Sequence, residues 1–229
     1  MTSSTGPAMV FRLLSIFAAL ALALWIGATH GRLDEPGPLV WMLGLFGLQF
    51  VRLPAVIARS RTQTSAVFAD RRDTLAVIGY SIGVVAVPLF WVMGFMPSLA
   101  PLHQPVWMVG LGAVTAGAAA VLCWRAHADL KQQWSSGLEL VEGHELVTTG
   151  VYARIRHPMY LAFLLGAVSQ ALLLPDLVVG LSGLVGMAVL LGLRLPLEEK
   201  MLADTFGARW IAHSAATGLL WLRLGSRPA

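Results

Sequence analysis

MYLAFLLGAVSQALLL (159–174), PD (175–176) and LVVGLSGLVGMAVLLGLRL (177–195) form the stretch that decides the fold. Two apolar runs are parted by a single Pro175-Asp176 turn, so they read as a tight helical hairpin inside a bilayer. The first arm is short for a full crossing. The whole chain agrees with this reading: of 229 residues, 57% are hydrophobic and 12% charged, and the mean hydropathy is +0.72. Such a composition cannot be spread over a soluble surface. Further apolar runs at about 10–28, 39–58, 75–96 and 105–124 predict an all-α, polytopic integral membrane bundle of about six spans. The run at 10–28 is long enough for a retained first helix rather than a cleaved signal.

Charge fixes the expected orientation. Arg59, Arg61, Arg71 and Arg72 lie between the second and third runs, and Arg125, Lys131, Arg154 and Arg156 between the fourth and fifth. Basic residues collect in cytoplasmic loops, so these two loops and both termini are expected in the cytoplasm. The acidic loop 31–38, the uncharged loop 96–104 and Asp176 fall on the other side. The net charge of +4 needs no nucleic acid to account for it. The single cysteine, Cys123, rules out an intramolecular disulfide and reads as a buried thiol. Gly79 and Gly83 form Gly-x-x-x-Gly, a helix-contact pattern.

Polar residues at the cytoplasmic ends of the spans carry the functional signal. His144-Glu145-Leu146-Val147 leads to Gly150-Val151-Tyr152 and Arg156-His157-Pro158-Met159-Tyr160; further on, Arg194 precedes Glu198-Glu199 and Phe206-Gly207. Both clusters land on one face of the membrane, and a membrane protein keeps such groups there when they meet a polar ligand. His144-Glu145 does not begin a zinc helix, because Thr148 stands where the second histidine is required. Gly110-x-Gly112 fails as a dinucleotide fingerprint, with Thr115 at the third glycine position.

As an ordered set, these motifs resemble the isoprenylcysteine carboxyl methyltransferase family over roughly residues 124–213. The resemblance implies an S-adenosylmethionine-dependent methyltransferase divided into an N-terminal transmembrane region, 1–124, and a methyltransferase core, 125–229. It implies that His144, Glu145, Leu146, Val147, Tyr152, His157, Pro158, Met159, Tyr160 and Glu198 hold the cofactor. Glu198 suits a cationic ligand, and Tyr152 and Tyr160 offer aromatic faces. The resemblance assigns Arg194 to the acceptor: its guanidinium would fix a carboxylate that is already an anion, so catalysis reduces to aligning nucleophile and methyl. Arg194 and Glu198 would share a helical face, subject to a kink at Pro196. The implied partners are a lipophilic or prenyl-cysteine acceptor and membrane lipid, with no metal and no nucleic acid. The chain departs from the family in having Trp210 and His213 where two tyrosines are usual, and it lacks a glutamine shortly before His144, a role open to Glu139.

Other readings stay open. Arg194 could snorkel to the headgroups, Glu199 and Lys200 could begin a solvated helix, and His157 could cap the helix that follows. Tyr152, Tyr160, Trp124, Trp134 and Trp210 could be interfacial belt residues. A composition rich in Ala, Leu, Gly and Arg suggests a high-GC bacterial source and an inner-membrane location, where the acceptor could instead be a small thiol or a phospholipid amine. An NADPH-dependent sterol-reductase-like enzyme and a non-catalytic transporter are the rivals from other classes; the latter predicts charges deep in the spans, where only Arg12 and Arg52 intrude, both nearer the ends.

Overall fold

In the computed structural model, which describes residues 18, 21–29, 31–59, 64–135 and 137–221, the chain is a bundle of membrane-length helices capped on one side by ordered loops. Helix α1 spans Pro36–Arg59, α2 Arg71–Ser81, α3 Val87–Val92, α4 Val106–Leu130, α5 Pro158–Leu173, α6 Leu177–Leu193, α7 Leu195–Phe206 and α8 Ala208–Ala216. Among the described residues, four helical stretches are long and apolar enough to cross a membrane: Pro36–Arg59, Arg71–Val92, Val106–Gln133 and Leu177–Phe206. The run at 10–28 falls largely outside the described residues, although 21–29 are helical. Helix α5 has 16 residues and so rises about 24 Å at 1.5 Å per residue, short of a hydrocarbon core of about 30 Å. The expected hairpin is present, with α5 packed on α6 and also on α4.

The hairpin turn is organised by one carboxylate. Asp176 is fully buried; its Oδ1 caps α6 by accepting from the amides of Val178 (3.0 Å) and Val179 (3.1 Å). Its Oδ2 accepts from the amides of Leu99 (2.7 Å) and Ala100 (2.9 Å) in the α3–α4 loop. Burial alone would raise its pKa, but these four amides hold it below the usual carboxylate range. On the same side, the amide of Arg32 donates to the Val92 carbonyl at 3.0 Å, and the Arg32 guanidinium lies over the Trp91 ring at 4.3 Å. The three loops expected on one face therefore do lie together.

The second span is bent by its own sequence. Between α2 and α3 the chain forms a π turn, Ile82–Ala86, with the amide of Val87 bonded to the Ile82 carbonyl. Pro88 has no amide to give the Gly83 carbonyl in that register. Instead that carbonyl accepts from Ser182 Oγ (2.7 Å) and Gln170 Nε2 (3.1 Å), which belong to α6 and α5. Contact is close enough that a Cβ at Gly83 would stand 2.2 Å from the Ser182 carbonyl oxygen, and one at Gly79 2.8 Å from Val189. The Gly-x-x-x-Gly pattern is thus a contact between helices, as its spacing predicts.

On the opposite face the two basic loops meet in a two-stranded antiparallel ladder absent from the sequence reading, β1 (Thr64–Val67) with β2 (Glu139–Val141). Leu138 and Leu140 pack beneath it against Met201 of α7. The bundle is all-α apart from this clip, which places both motif clusters on one side.

Gly83→Ala is expected to lower the melting temperature of the solubilised protein, at a cost of about 1–3 kcal/mol for forced overpacking. Gly110→Ala, where a Cβ meets nothing within 4 Å, is expected to be neutral or slightly stabilising. Equal effects at the two positions would contradict this account of the contact.

Candidate functional site

Three anchors hold the loop that enters α5. At the end of α4, Asp129 Oδ2 accepts from the amide of Val151 at 2.8 Å, fixing a 3-10 turn over Gly150–Ala153. Gly150 adopts φ +61, and a Cβ there would lie 2.1 Å from Asp129 Oδ2, so both the torsion and the contact require glycine. The segment after α8 runs beside the loop: the Arg156 amide donates to the Gly218 carbonyl at 2.8 Å and the His157 amide to Leu219 at 3.1 Å. Farther back, the amide of Glu145 donates to Gln133 Oε1 at 3.0 Å.

The third anchor is the carboxylate pair at the start of α7. Glu199 Oε1 lies 2.6 Å from His157 Nε2, and its Oε2 accepts from Arg156 at 2.8 Å. Glu198 Oε2 accepts the Tyr160 hydroxyl proton at 2.5 Å, while its Oε1 lies 3.6 Å from His157 Nδ1. The Tyr160 oxygen in turn accepts from Arg194 Nε at 3.0 Å. Arg194 is the hinge between α6 and α7, and the amide of Glu198 bonds its carbonyl at 3.0 Å, so helical continuity survives Pro196 and both side chains face the same space. Burial disfavours the charged form of His157, but the hydrogen bonds it donates to Glu198 and Glu199, and the proximity of their charges, outweigh it and raise its pKa.

Several expectations change here. Arg194 does not snorkel: it is buried and ion-paired with Asp73 of α2 at 2.9 Å. Glu199 is not a solvated helix start, since it clamps His157 and Arg156, whereas Lys200 pairs with Asp204 on the exposed side. His157 precedes α5 but makes no side-chain cap bond. Trp124 is exposed as a belt residue would be, whereas Trp134 and Trp210 are buried, Trp134 at 5.0 Å from the His127 ring and Trp210 at 6.4 Å from His157. Tyr152 and Tyr160 are buried as well.

Together these side chains wall a cavity of about 310 Å³. His144, Glu145, Leu146, Val147, Tyr152, His157, Met159, Tyr160, Arg194 and Glu198 all line it; Pro158 does not, being buried at the first turn of α5. Phe206, Trp210 and His213 close one side. The Nδ1 of His144 is buried with no hydrogen-bond partner among the described residues, and burial lowers the pKa of this ring, favouring its neutral form. A half-buried carboxylate, aromatic faces and an unsatisfied imidazole nitrogen suit a ligand that carries a cation and hydrogen-bonding heteroatoms. Sequence reasoning missed Asp73, Asp129 and Gln133, and it noted Glu199 and Arg52 without giving either a role at the site. Of the three missed residues only Asp129 left a trace in the sequence, four residues after Arg125, with which it pairs at 3.3 Å. Glu139 lines the cavity but is engaged by Arg59 (2.7 Å) and Ser135 (2.5 Å); against its burial these bonds lower its pKa.

Comparison with known proteins gives a consistent picture. The model of the isoprenylcysteine carboxyl methyltransferase (ICMT) family matches residues 111–204. Protein-S-isoprenylcysteine O-methyltransferase A of Arabidopsis thaliana is 36% identical over 80 residues, covering 34% of this chain and 41% of the relative. Protein-S-isoprenylcysteine O-methyltransferase B of the same plant is 33% identical over 73 residues, 32% of this chain and 37% of the relative. The chain therefore spans about two fifths of the length of these relatives. The family match starts inside α4, ahead of the motifs, and ends within α7.

The His157 clamp sets a pH dependence. Its folded pKa is raised from 6.5, so the stability it contributes is complete below that value and is lost as pH rises through the higher folded value. The melting temperature is expected to fall over that window, and Glu199→Gln should move the fall to lower pH by removing one stabilising charge. Identical profiles for the two proteins between about pH 6 and about pH 9 would argue against the clamp.

Proposed function

We propose, from the match of residues 111–204 to the model of the isoprenylcysteine carboxyl methyltransferase family, that this integral membrane protein transfers a methyl group from S-adenosylmethionine to the carboxylate of an isoprenylcysteine-like, lipophilic acceptor. The observation that carries the reading is the convergence of the His144–Val147 segment, Tyr152, Met159, Tyr160 and Glu198 on one cavity beside Arg194. S-adenosylmethionine, when bound, supplies an electrophilic methyl on a sulfonium. Glu198 sets a carboxylate opposite a cationic ligand and is held in place by Tyr160 and His157. The unpartnered His144 Nδ1 and the aromatic faces of Phe206 and Trp210 are available to the rest of the cofactor. Apolar lining from Leu130, Val147, Leu190 and Met201 excludes water.

Arg194 orients the acceptor, whose carboxylate is an anion at neutral pH and needs no general base. In this reading the region 1–124 is an N-terminal transmembrane region and 125–229 the methyltransferase core that carries the cofactor loop, the helical hairpin and Arg194. The ladder-bearing face is cytoplasmic by its arginines, with both termini on that side, in a bacterial inner membrane as the composition suggests. One observation favours a second reading: Arg194 already has Asp73 as counter-ion, which leaves room for an acceptor without a carboxylate, such as a thiol or a phospholipid amine.

S-adenosylhomocysteine is expected to bind the purified protein and raise its melting temperature, as any ligand that prefers the folded state must. Glu198→Gln should weaken that binding by about 1.5–3 kcal/mol, the range for a charge-assisted contact. Arg194→Lys should leave it nearly intact while slowing methyl transfer on the order of a hundredfold, since lysine keeps the charge but loses the planar fork. Calorimetry in which NADPH binds and S-adenosylhomocysteine does not would replace the methyltransferase reading with a reductase.

Orientation is tested separately. A cysteine at Ala100 should react with an impermeant thiol reagent from outside intact cells, and one at Glu142 only after the membrane is opened. The reverse pattern would invert the topology.

A further inference from the structure

We propose that Arg52, on α1 and outside the segment matched by the family, anchors the anionic head of an acidic lipophilic acceptor. This rests on the methyltransferase reading and narrows its substrate class to amphiphiles whose polar end is negatively charged.

Arg52 lies seven residues before the end of α1 at Arg59, about 10 Å into the span at 1.5 Å per residue. A guanidinium at that depth is costly unless an anion or a polar cavity receives it. The other arginines around the site are provided for: Arg194 pairs with Asp73 at 2.9 Å, Arg156 with Glu199 at 2.8 Å and Arg59 with Glu139 at 2.7 Å. Among the described residues Arg52 has no hydrogen bond and no ion pair, and its Nε is buried without an acceptor. What it has is a wall of the cavity and an aromatic face, its guanidinium carbon lying 5.6 Å from the Phe163 ring centre.

The surroundings say which kind of head group this cation selects. Phe163 packs on Tyr80 at 5.6 Å and on Tyr160 at 6.4 Å, and Tyr160 is bonded to both Arg194 and Glu198. Phe163 and Tyr160 therefore link Arg52 to the Arg194–Glu198 cluster along the wall of one cavity. On the other flank stand Leu190 and Val77, and Val77 is 39% exposed on the apolar outside of the bundle. Because α1 packs chiefly on α4 and α5, and α2 on α6, Arg52 and Val77 reach the cavity from separate walls.

A ligand entering past Val77 meets apolar surface first and an uncompensated cation next. A carboxylate arriving at Arg194 alone would face a pair already neutralised by Asp73; Arg52 supplies the positive charge that this pair lacks. An amine or neutral head would leave the charge of the half-buried Arg52 unpaired, so the same residue discriminates against it.

The test uses the full chain in nanodiscs of zwitterionic lipid. Two probes are compared by equilibrium binding, N-acetyl-S-farnesylcysteine and its methyl ester, with S-adenosylhomocysteine binding measured in parallel. Wild type should prefer the carboxylate by at least about tenfold, the scale of a 1.4 kcal/mol contact. Arg52→Gln should abolish that preference while ester affinity and S-adenosylhomocysteine affinity stay at the wild-type level, which also establishes that the variant is folded. Arg52→Lys should restore part of the preference.

A carboxylate preference that survives in Arg52→Gln, or the absence of any such preference in wild type, overturns the proposal. Failure of S-adenosylhomocysteine to bind while the Arg52-dependent preference persists counts against the methyltransferase reading and leaves the anion site standing.

Discussion

The paired carboxylates of Glu198 and Glu199 are the constraint on which the site depends. They receive His157 and Arg156 from the loop that leads into α5 and Tyr160 from its first turn, and they stand at the start of α7, directly after the Arg194 hinge. In an environment of low polarity each of these groups must find a partner or impose a large desolvation penalty. The loop is therefore held against α7 more firmly than its own irregular backbone would allow, and the cavity has a fixed floor. Asp129 and the segment at Gly218 and Leu219 complete the restraint from the other edges.

The cavity divides by charge. Toward the loop face it presents Glu198 and the neutral His144, and toward the spans it presents Arg194, Arg52 and an aromatic row. A cationic ligand and an anionic one are thus favoured at neighbouring positions. That is the arrangement a methyl transfer between a sulfonium and a carboxylate calls for, since alignment rather than proton transfer limits such a reaction. Asp73 modifies the picture: it keeps Arg194 in place from a different span and offsets its charge.

Away from the cavity, the fold is held by backbone groups that lost their regular partners. Pro88 deprives the Gly83 carbonyl of its helical donor, and Gln170 and Ser182 replace it. Asp176 collects four amides from two loops. The first joins the α2–α3 turn and the second the α3–α4 loop to the α5–α6 hairpin, and so they set the spacing between the N-terminal spans and the helices that carry the motifs.

The sequence by itself determined the membrane class, the hairpin and the grouping of the loops, because hydropathy, span length and loop charge act locally and need no knowledge of neighbours. It also named ten of the side chains that line the cavity, since the motif residues from His144 to Tyr160, and again Arg194 and Glu198, lie close together along the chain. Tertiary structure alone decided which of those groups are neutralised, and by what. Asp73, in the first turn of a span 121 residues before Arg194, and Glu199, which reads as an ordinary solvated acid, acquire their roles only when α2, the loop and α7 meet. The same holds for the burial of Trp210 and for the isolation of Arg52. Pairing of charges depends on distances of a few ångströms between elements far apart in the chain, and no local pattern records them.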